Sequence, residues 1–198
     1  EGVAGDYGDY CLELKAAEAG KFGLSKDTNV NYAYHLDATR YGQYLRKRAE
    51  AAGVKRIEGK IAHVKLNAES GNIEQLEMAS GQFVEGDLFI DCTGFKALLS
   101  EGALETGFDD WSHWLPCNRA WAMPSELEGA PLPYTRAIAH SGGWQWRIPL
   151  QHRAGNGLVY SSNSYSDDEA LSILQQQVSD KAVADPRLIR FTTGQRKQ

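Results

Sequence analysis

Apolar residues recur at helical spacing in three stretches of the chain. Tyr10, Leu14 and Ala17 form the first stripe, broadened by Cys11 and Leu12, and predict a helix over Tyr7–Gly20 with Gly20 as its stop. Asp37 is placed to cap a second helix running to about Ala52. Tyr41, Tyr44, Leu45 and Arg48 lie on one side of it, and Gly53 supplies the stop. Ser166-Asp167-Asp168-Glu169 opens a third helix, Asp167 to about Ser179, with Leu171, Leu174 and Val178 as a partial apolar face. The polar stretch Ser25–Asn31 reads as loop.

Between and after these helices the pattern changes to that of strands. Lys60–Leu66 alternates poorly at Ile61 and Val64, which predicts a bulge or twist. Ile73, Leu76 and Met78 form another strand, and Gln82-Phe83-Val84 a third. Turns at Glu69-Ser70-Gly71-Asn72 and Ser80-Gly81 join them into a small antiparallel sheet. Asp87–Asp91 is instead a continuous apolar run ending at Cys92-Thr93-Gly94. It predicts a strand buried on both faces, feeding a glycine turn and a short helix, Lys96–Ser100. From Trp111 onward, short β-like pieces at Arg119–Met123, Tyr134–His140, Trp144–Ile148 and Gly157–Ser162 predict a second, largely antiparallel sheet, and Leu188–Phe191 reads as a final strand. Gly155-Asn156-Gly157 reads as a hairpin turn between apolar pieces. The class is α/β (α+β), a mixed or parallel sheet plus a second antiparallel one. The expected division is 1–107, with the helices, the hairpin sheet and the strand 87–91, and 108–198, with the second sheet and the helix 167–179.

Composition narrows the class. The 198 residues are 42% hydrophobic and 24% charged, an ordinary globular balance. A net charge of −5 without a basic cluster argues against general nucleic-acid binding. No run approaches the ~20 apolar residues of a membrane span. The three cysteines, Cys11, Cys92 and Cys117, are too few and too scattered for a disulfide framework or a zinc site. They suggest a reducing, cytoplasmic setting. Neither end carries a start or stop signature, so the chain is expected to be the middle of a longer one.

Two places carry candidate chemistry. Asp91-Cys92-Thr93-Gly94 stands where the end of a strand meets a tight turn, the position at which α/β folds bind ligands. Asp91 is suited to orienting that turn through side-chain hydrogen bonds. The same glycine would also serve a plain strand-turn-helix junction. Trp144 and Trp146 are two apart, so a strand puts both rings on one face, with Gln145 and Arg147 on the other. Two indoles there can wall an aromatic site, or simply fill the core of a sandwich. The five histidines, His35, His63, His113, His140 and His152, show no metal spacing and read as solvated or hydrogen-bonded.

Taken together, these segments resemble one family, the flavin-dependent tryptophan halogenases. Trp144-Gln145-Trp146-Arg147-Ile148-Pro149 matches its signature, Trp-x-Trp-x-Ile-Pro, which ordinary flavin monooxygenases lack. Tyr32–Asp37, Asp87–Phe95, Gly157–Ser162 and Arg190–Arg196 agree in the expected order. The resemblance implies an FAD-binding fold like that of para-hydroxybenzoate hydroxylase. It implies a separate reductase that supplies reduced FAD, and oxygen and halide as co-substrates. The halogen would be delivered to an electron-rich ring such as tryptophan or another indole, and the resemblance allows a homodimer. It implies cofactor contacts at Ile61, Thr93 and Gly94. Trp144 and Trp146 match the positions that keep substrate away from the flavin, with their shared face, largely buried, turned toward it. The family's Gly-x-Gly-x-x-Gly and its lysine are expected before residue 1, and its catalytic glutamate after residue 198. A flavin monooxygenase or dehydrogenase of the same superfamily, and a non-catalytic β-rich binding module, are the competing readings.

Overall fold

A computed structural model of the chain describes residues 5–23, 26, 30–178 and 181–197. Most of the predicted loop at 25–31 and the end of the third helix at Ser179 lie outside the described residues. Among the described residues there are three α-helices: α1 (Leu12–Glu18), preceded by a 3-10 turn at Tyr7–Tyr10, α2 (Ala38–Ala51) and α3 (Asp167–Gln177). The strands are β1 (Ile61–Leu66), β2 (Ile73–Met78), β3 (Phe83–Glu85), β4 (Phe108–Asp110), β5 (Arg119–Ser125), β6 (Arg136–His140), β7 (Gly143–Pro149), β8 (Ala154–Tyr160), β9 (Arg187–Arg190) and β10 (Gly194–Arg196).

The helix ends follow the sequence signals. Asp37 Oδ1 accepts the amides of Thr39 and Arg40 at 3.0 and 3.1 Å, capping α2. Gly53, at φ +93°, ends it in a left-handed turn closed by Val54 N–H donating to Ala49 C=O. Ser166 and Glu169 form a reciprocal capping box at the start of α3.

Two compact units emerge, and they interleave along the chain. One comprises Glu1–Gln43 and Pro116–Arg190, the other Tyr44–Leu115 and Phe191–Gln198. The sequence led us to expect a single boundary near 107. In the second unit β1, β2 and β3 form the expected antiparallel sheet, and the register of β1 slips twice, as its irregular pattern predicted. β4 and β10 pair there as a short ribbon.

The first unit is built on a five-stranded antiparallel sheet, order β6-β7-β8-β5-β9. α3 packs on one face, where Met123, Leu158, Tyr160, Ala170, Leu174 and Val178 make a continuous core. Leu158, Tyr160, Ala170 and Leu174 are fully buried.

Four expectations are corrected. No parallel pairing occurs among the named strands. Asp87–Asp91 forms no strand, and Leu88 and Ile90 are 81% and 79% exposed, because no described segment pairs with it. The short helix expected at Lys96–Ser100 is replaced by a 3-10 turn at Gly94–Lys96 followed by further turns. Gly155, Asn156 and Gly157 are not a turn but part of β8, and the chain reverses at Gln151–Arg153 instead. Gly157 is a glycine for a packing reason: a Cβ there would overlap the six-membered ring of Trp146.

Candidate functional site

The glycine turn after residue 91 is organised by one carboxylate. Asp91 Oδ1 accepts from Thr93 N–H at 3.0 Å and from Thr93 Oγ1 at 2.7 Å. Its Oδ2 accepts from the amides of Leu99 and Ser100, both at 3.0 Å, and from Ser100 Oγ at 3.2 Å. Thr93 Oγ1 in turn accepts from Leu98 N–H at 2.8 Å. Burial pushes the Asp91 pKa up, but the donors from Ser100, Thr93 and Leu99 outweigh it and hold the carboxyl well below the usual carboxylate range. Gly94 stands at φ +67° with open space where a side chain would be, so its backbone can be approached closely.

Ile61 opens β1 opposite Met78 and is partly buried. With Val64, Leu98, Gly102 and Ala103 it lines a cleft of about 400 Å³ within the second unit. The turn residues Thr93 and Gly94 do not line this cleft. Thr93 acts on it indirectly, through its hydrogen bond to Leu98.

The tryptophan strand is β7. The register puts Gln145 opposite Leu158 and Arg147 opposite Asn156 on the face that α3 covers. Trp144, Trp146 and Ile148 share the other face, and the strand ends at Pro149, which lacks an N–H for the ladder. The indole centroids are 6.0 Å apart at 54°. Their cross-strand neighbours are small: Ala139 and Ala137 on β6, and Gly157 beside Val159 on β8. The expectation of two largely buried rings is corrected. Trp144 is 46% exposed and Trp146 partly buried, because α3 occupies the opposite face.

That opposite face is polar under β7. Gln145 is buried and lies 3.3 Å from His140 Nε2. Arg147 donates to Asn156 Oδ1 at 3.2 Å, and Asn156 Nδ2 donates to Met123 C=O and to Ser125 Oγ. Buried polar groups satisfied in this way fix the strand register. A second clamp centres on Asp167, which accepts from Tyr160 OH and Arg119, both at 2.6 Å, and from Arg190 at 2.9 Å. The Tyr160 hydroxyl, with the Arg119 guanidinium beside it, lowers the Asp167 pKa to about 2. Burial, reinforced by Asp167, pushes the Tyr160 phenol far up.

Sequence reasoning missed the segment that grips the end of β7. His35 Nδ1 lies 2.9 Å from Pro149 C=O and its Nε2 3.3 Å from Thr135 Oγ1. Asp37 Oδ2 meets His152 Nε2 at 3.0 Å and Arg153 at 3.5 Å. These partners are 100 or more residues apart in sequence, so no local pattern announces them. No group of metal-ligating side chains occurs among the described residues, and none of their helices is long and apolar enough to cross a membrane.

Comparison with known proteins gives a consistent result. The family model described as tryptophan halogenase matches residues 1–198. Tryptophan 7-halogenase RebH of Lentzea aerocolonigenes is 38% identical over 174 residues, 85% of this chain and 33% of that protein. Tryptophan 6-halogenase ThaL of Streptomyces albogriseolus is 36% identical over 190 residues, 93% of this chain and 35% of that protein. Among solved structures, Xcc4156, a flavin-dependent halogenase from Xanthomonas campestris, superposes with a TM-score of 0.91 at 50% identity, covering 98% of this chain and 39% of that one. BrvH, a flavin-dependent halogenase from Brevundimonas sp. BAL3, gives 0.91 at 46%, covering 98% and 41%. The chain thus spans about a third of the length of these curated relatives.

Proposed function

The chain belongs to the tryptophan halogenase family, and from that premise we propose that it is the central part of an FAD-dependent halogenase acting on an electron-rich aromatic ring. The carrying observation is the signature strand. Trp144 and Trp146 share one face of β7, 6.0 Å apart, over neighbours too small to cover them. Two rings fixed side by side offer a planar substrate an aromatic wall to pack against.

FAD, once reduced by a partner flavin reductase, would supply with oxygen the oxidising power that turns halide into an electrophilic halogen. The residues present fit such a cofactor. Gly94 leaves its backbone open, Asp91 holds the turn rigid, and Ile61 offers strand backbone beside a cleft. Thr93 and Gly94 would approach the flavin, and Ile61 the adenine. These residues fall in the unit containing Tyr44–Leu115, and the signature strand falls in the unit of the five-stranded sheet. We therefore assign cofactor contact to the former and the substrate side to the latter, in a fold of the para-hydroxybenzoate hydroxylase type. Trp144 and Trp146 would hold tryptophan, or another indole, away from the flavin.

The test is a halide-dependent product assay on the full-length protein. It is incubated with reduced FAD, oxygen, bromide and indole or tryptophan, and products are read by mass spectrometry. Brominated product that disappears without bromide is expected. Hydroxylated product instead would make the protein a monooxygenase, and no product of either kind would overturn the enzymatic reading. The 198-residue chain alone is expected to give none, since the family's lysine and glutamate find no match in it.

A further inference from the structure

We propose that His35 is a positioning residue for the tryptophan strand, closing the open end of the β6–β7 hairpin and so setting where Trp146 stands. The hairpin is tight at one end, where Ser141-Gly142 turns the chain and His140 faces Gly143. At its other end Arg136 faces Arg147, and the strands part. His35 bridges them there. It reaches Pro149, the last residue of β7, and Thr135, the residue before β6.

A carbonyl only accepts, so Nδ1 carries the proton and donates to Pro149 C=O. In that tautomer Nε2 is free to accept from the Thr135 hydroxyl. This assignment satisfies both contacts at once. Two residues on, Asp37 holds His152 and Arg153 in the turn that follows β7, while its other oxygen caps α2. The segment 35–37 therefore grips the β7–β8 turn at both ends and ties it to a helix terminus.

The consequence falls unequally on the two indoles. Trp144 faces Ala139, one residue from the tight turn, whereas Trp146 faces Ala137, next to the open end. β8 still holds β7 as far as Pro149, so losing the His35 bridge frees the edge strand: the Thr135 end of β6 splays and Ala137 draws away from Trp146, while Ala139 stays beside Trp144. His35 is exposed and belongs to no core cluster, so its replacement leaves the packing under α3 intact.

The inference rests on the halogenase reading for its effect on activity, but not for its effect on the ring. The full-length protein is labelled with 5-fluorotryptophan, and the Trp144 and Trp146 resonances are assigned from Trp144→Phe and Trp146→Phe. His35→Leu keeps bulk and loses both hydrogen bonds. It should shift or broaden the Trp146 signal, spare Trp144 and leave the melting temperature unchanged. His35→Asn restores a donor near the Nδ1 position and should return the signal toward wild type. In the bromination assay, His35→Leu should lose about tenfold in brominated product per flavin oxidised, the excess appearing as hydrogen peroxide, as expected for a misplaced group. An unmoved Trp146 signal in His35→Leu, or one equally moved in His35→Asn, overturns the proposal. A wild type that makes no brominated product defeats the halogenase reading, while the ring signals still decide the role of His35.

Discussion

A single carboxylate holds the backbone around the glycine turn in a shape that the sequence around it does not favour. Ala97 sits at φ 44°, a left-handed conformation that costs a non-glycine residue about 1–2 kcal/mol. Asp91 offsets this by gathering the amides of Thr93, Leu99 and Ser100 on its two oxygens. In Asp91→Asn the amide nitrogen would have to face donors. We expect a loss of about 1.5–3 kcal/mol, typical of hydrogen bonds to a charged group. The check is amide hydrogen exchange in the full-length protein, where Leu99 and Ser100 should exchange faster. The pH dependence follows from the depressed pKa. As acid is added, the unfolded chain takes up the proton first. The contribution is therefore intact above the ordinary carboxylate value near ~4 and fades as pH falls below it toward the lower folded value. Asp91→Asn should flatten that acid limb. The local half of this ring was legible, because Asp91 and Thr93 are two residues apart. The other half was not, since Leu99 and Ser100 lie eight and nine residues on.

At the scale of elements, α3 is the piece whose sequence and structure agree most fully. Its opening at Ser166, acidic first turn and apolar Leu174 were all readable, the reciprocal Ser166–Glu169 cap came with the structure, and Leu174 is fully buried against the sheet. Ser166→Ala removes the cap on the Glu169 amide and should cost about 0.5–2 kcal/mol. Ser166→Asp, which also caps, should retain most of it. The difference is measured as the midpoint of chemical denaturation of the full-length protein. Strands were legible where alternation marks one covered face, as in β5 and β7. The faces of β7 were assigned correctly, but which face α3 would cover was not, because alternation distinguishes two sides without saying what lies on each. Residues 87–91 misled for a related reason. A continuous apolar run records that both sides are meant to be covered, not that the covering partners lie within the same 198 residues. Gly157 of β8 misled because a side chain from the neighbouring strand, Trp146, fills the space it leaves.

Over the whole molecule, burial is uneven. Among the described residues, the unit of the five-stranded sheet buries Ala120, Met123, Leu150, Ala154, Leu158, Tyr160, Ala170, Leu174 and Val178, whereas the other unit buries only Met78, Ala97 and Leu99 as apolar groups. In that second unit Leu88, Ile90, Phe95 and Trp114 stand exposed, as Tyr7, Tyr10, Phe22 and Tyr34 do ahead of α2 in the first. Large apolar side chains concentrated in one stretch mark a surface made to be covered. Few buried contacts also mean a low free energy of local opening. Expressed by itself, the 198-residue chain should therefore open first in the second unit. Limited proteolysis should cut within residues 86–115 before it reaches β5–β8 or α3, and the chain should bind a hydrophobic dye and self-associate in light scattering. The same stretch should resist the protease in a protein of the length of its curated relatives, where further chain is available to pack against it. A monomeric chain with one cooperative melt and no early cleavage at 86–115 would show instead that the short sheet β1–β3 and the Asp91 ring suffice to hold the second unit closed.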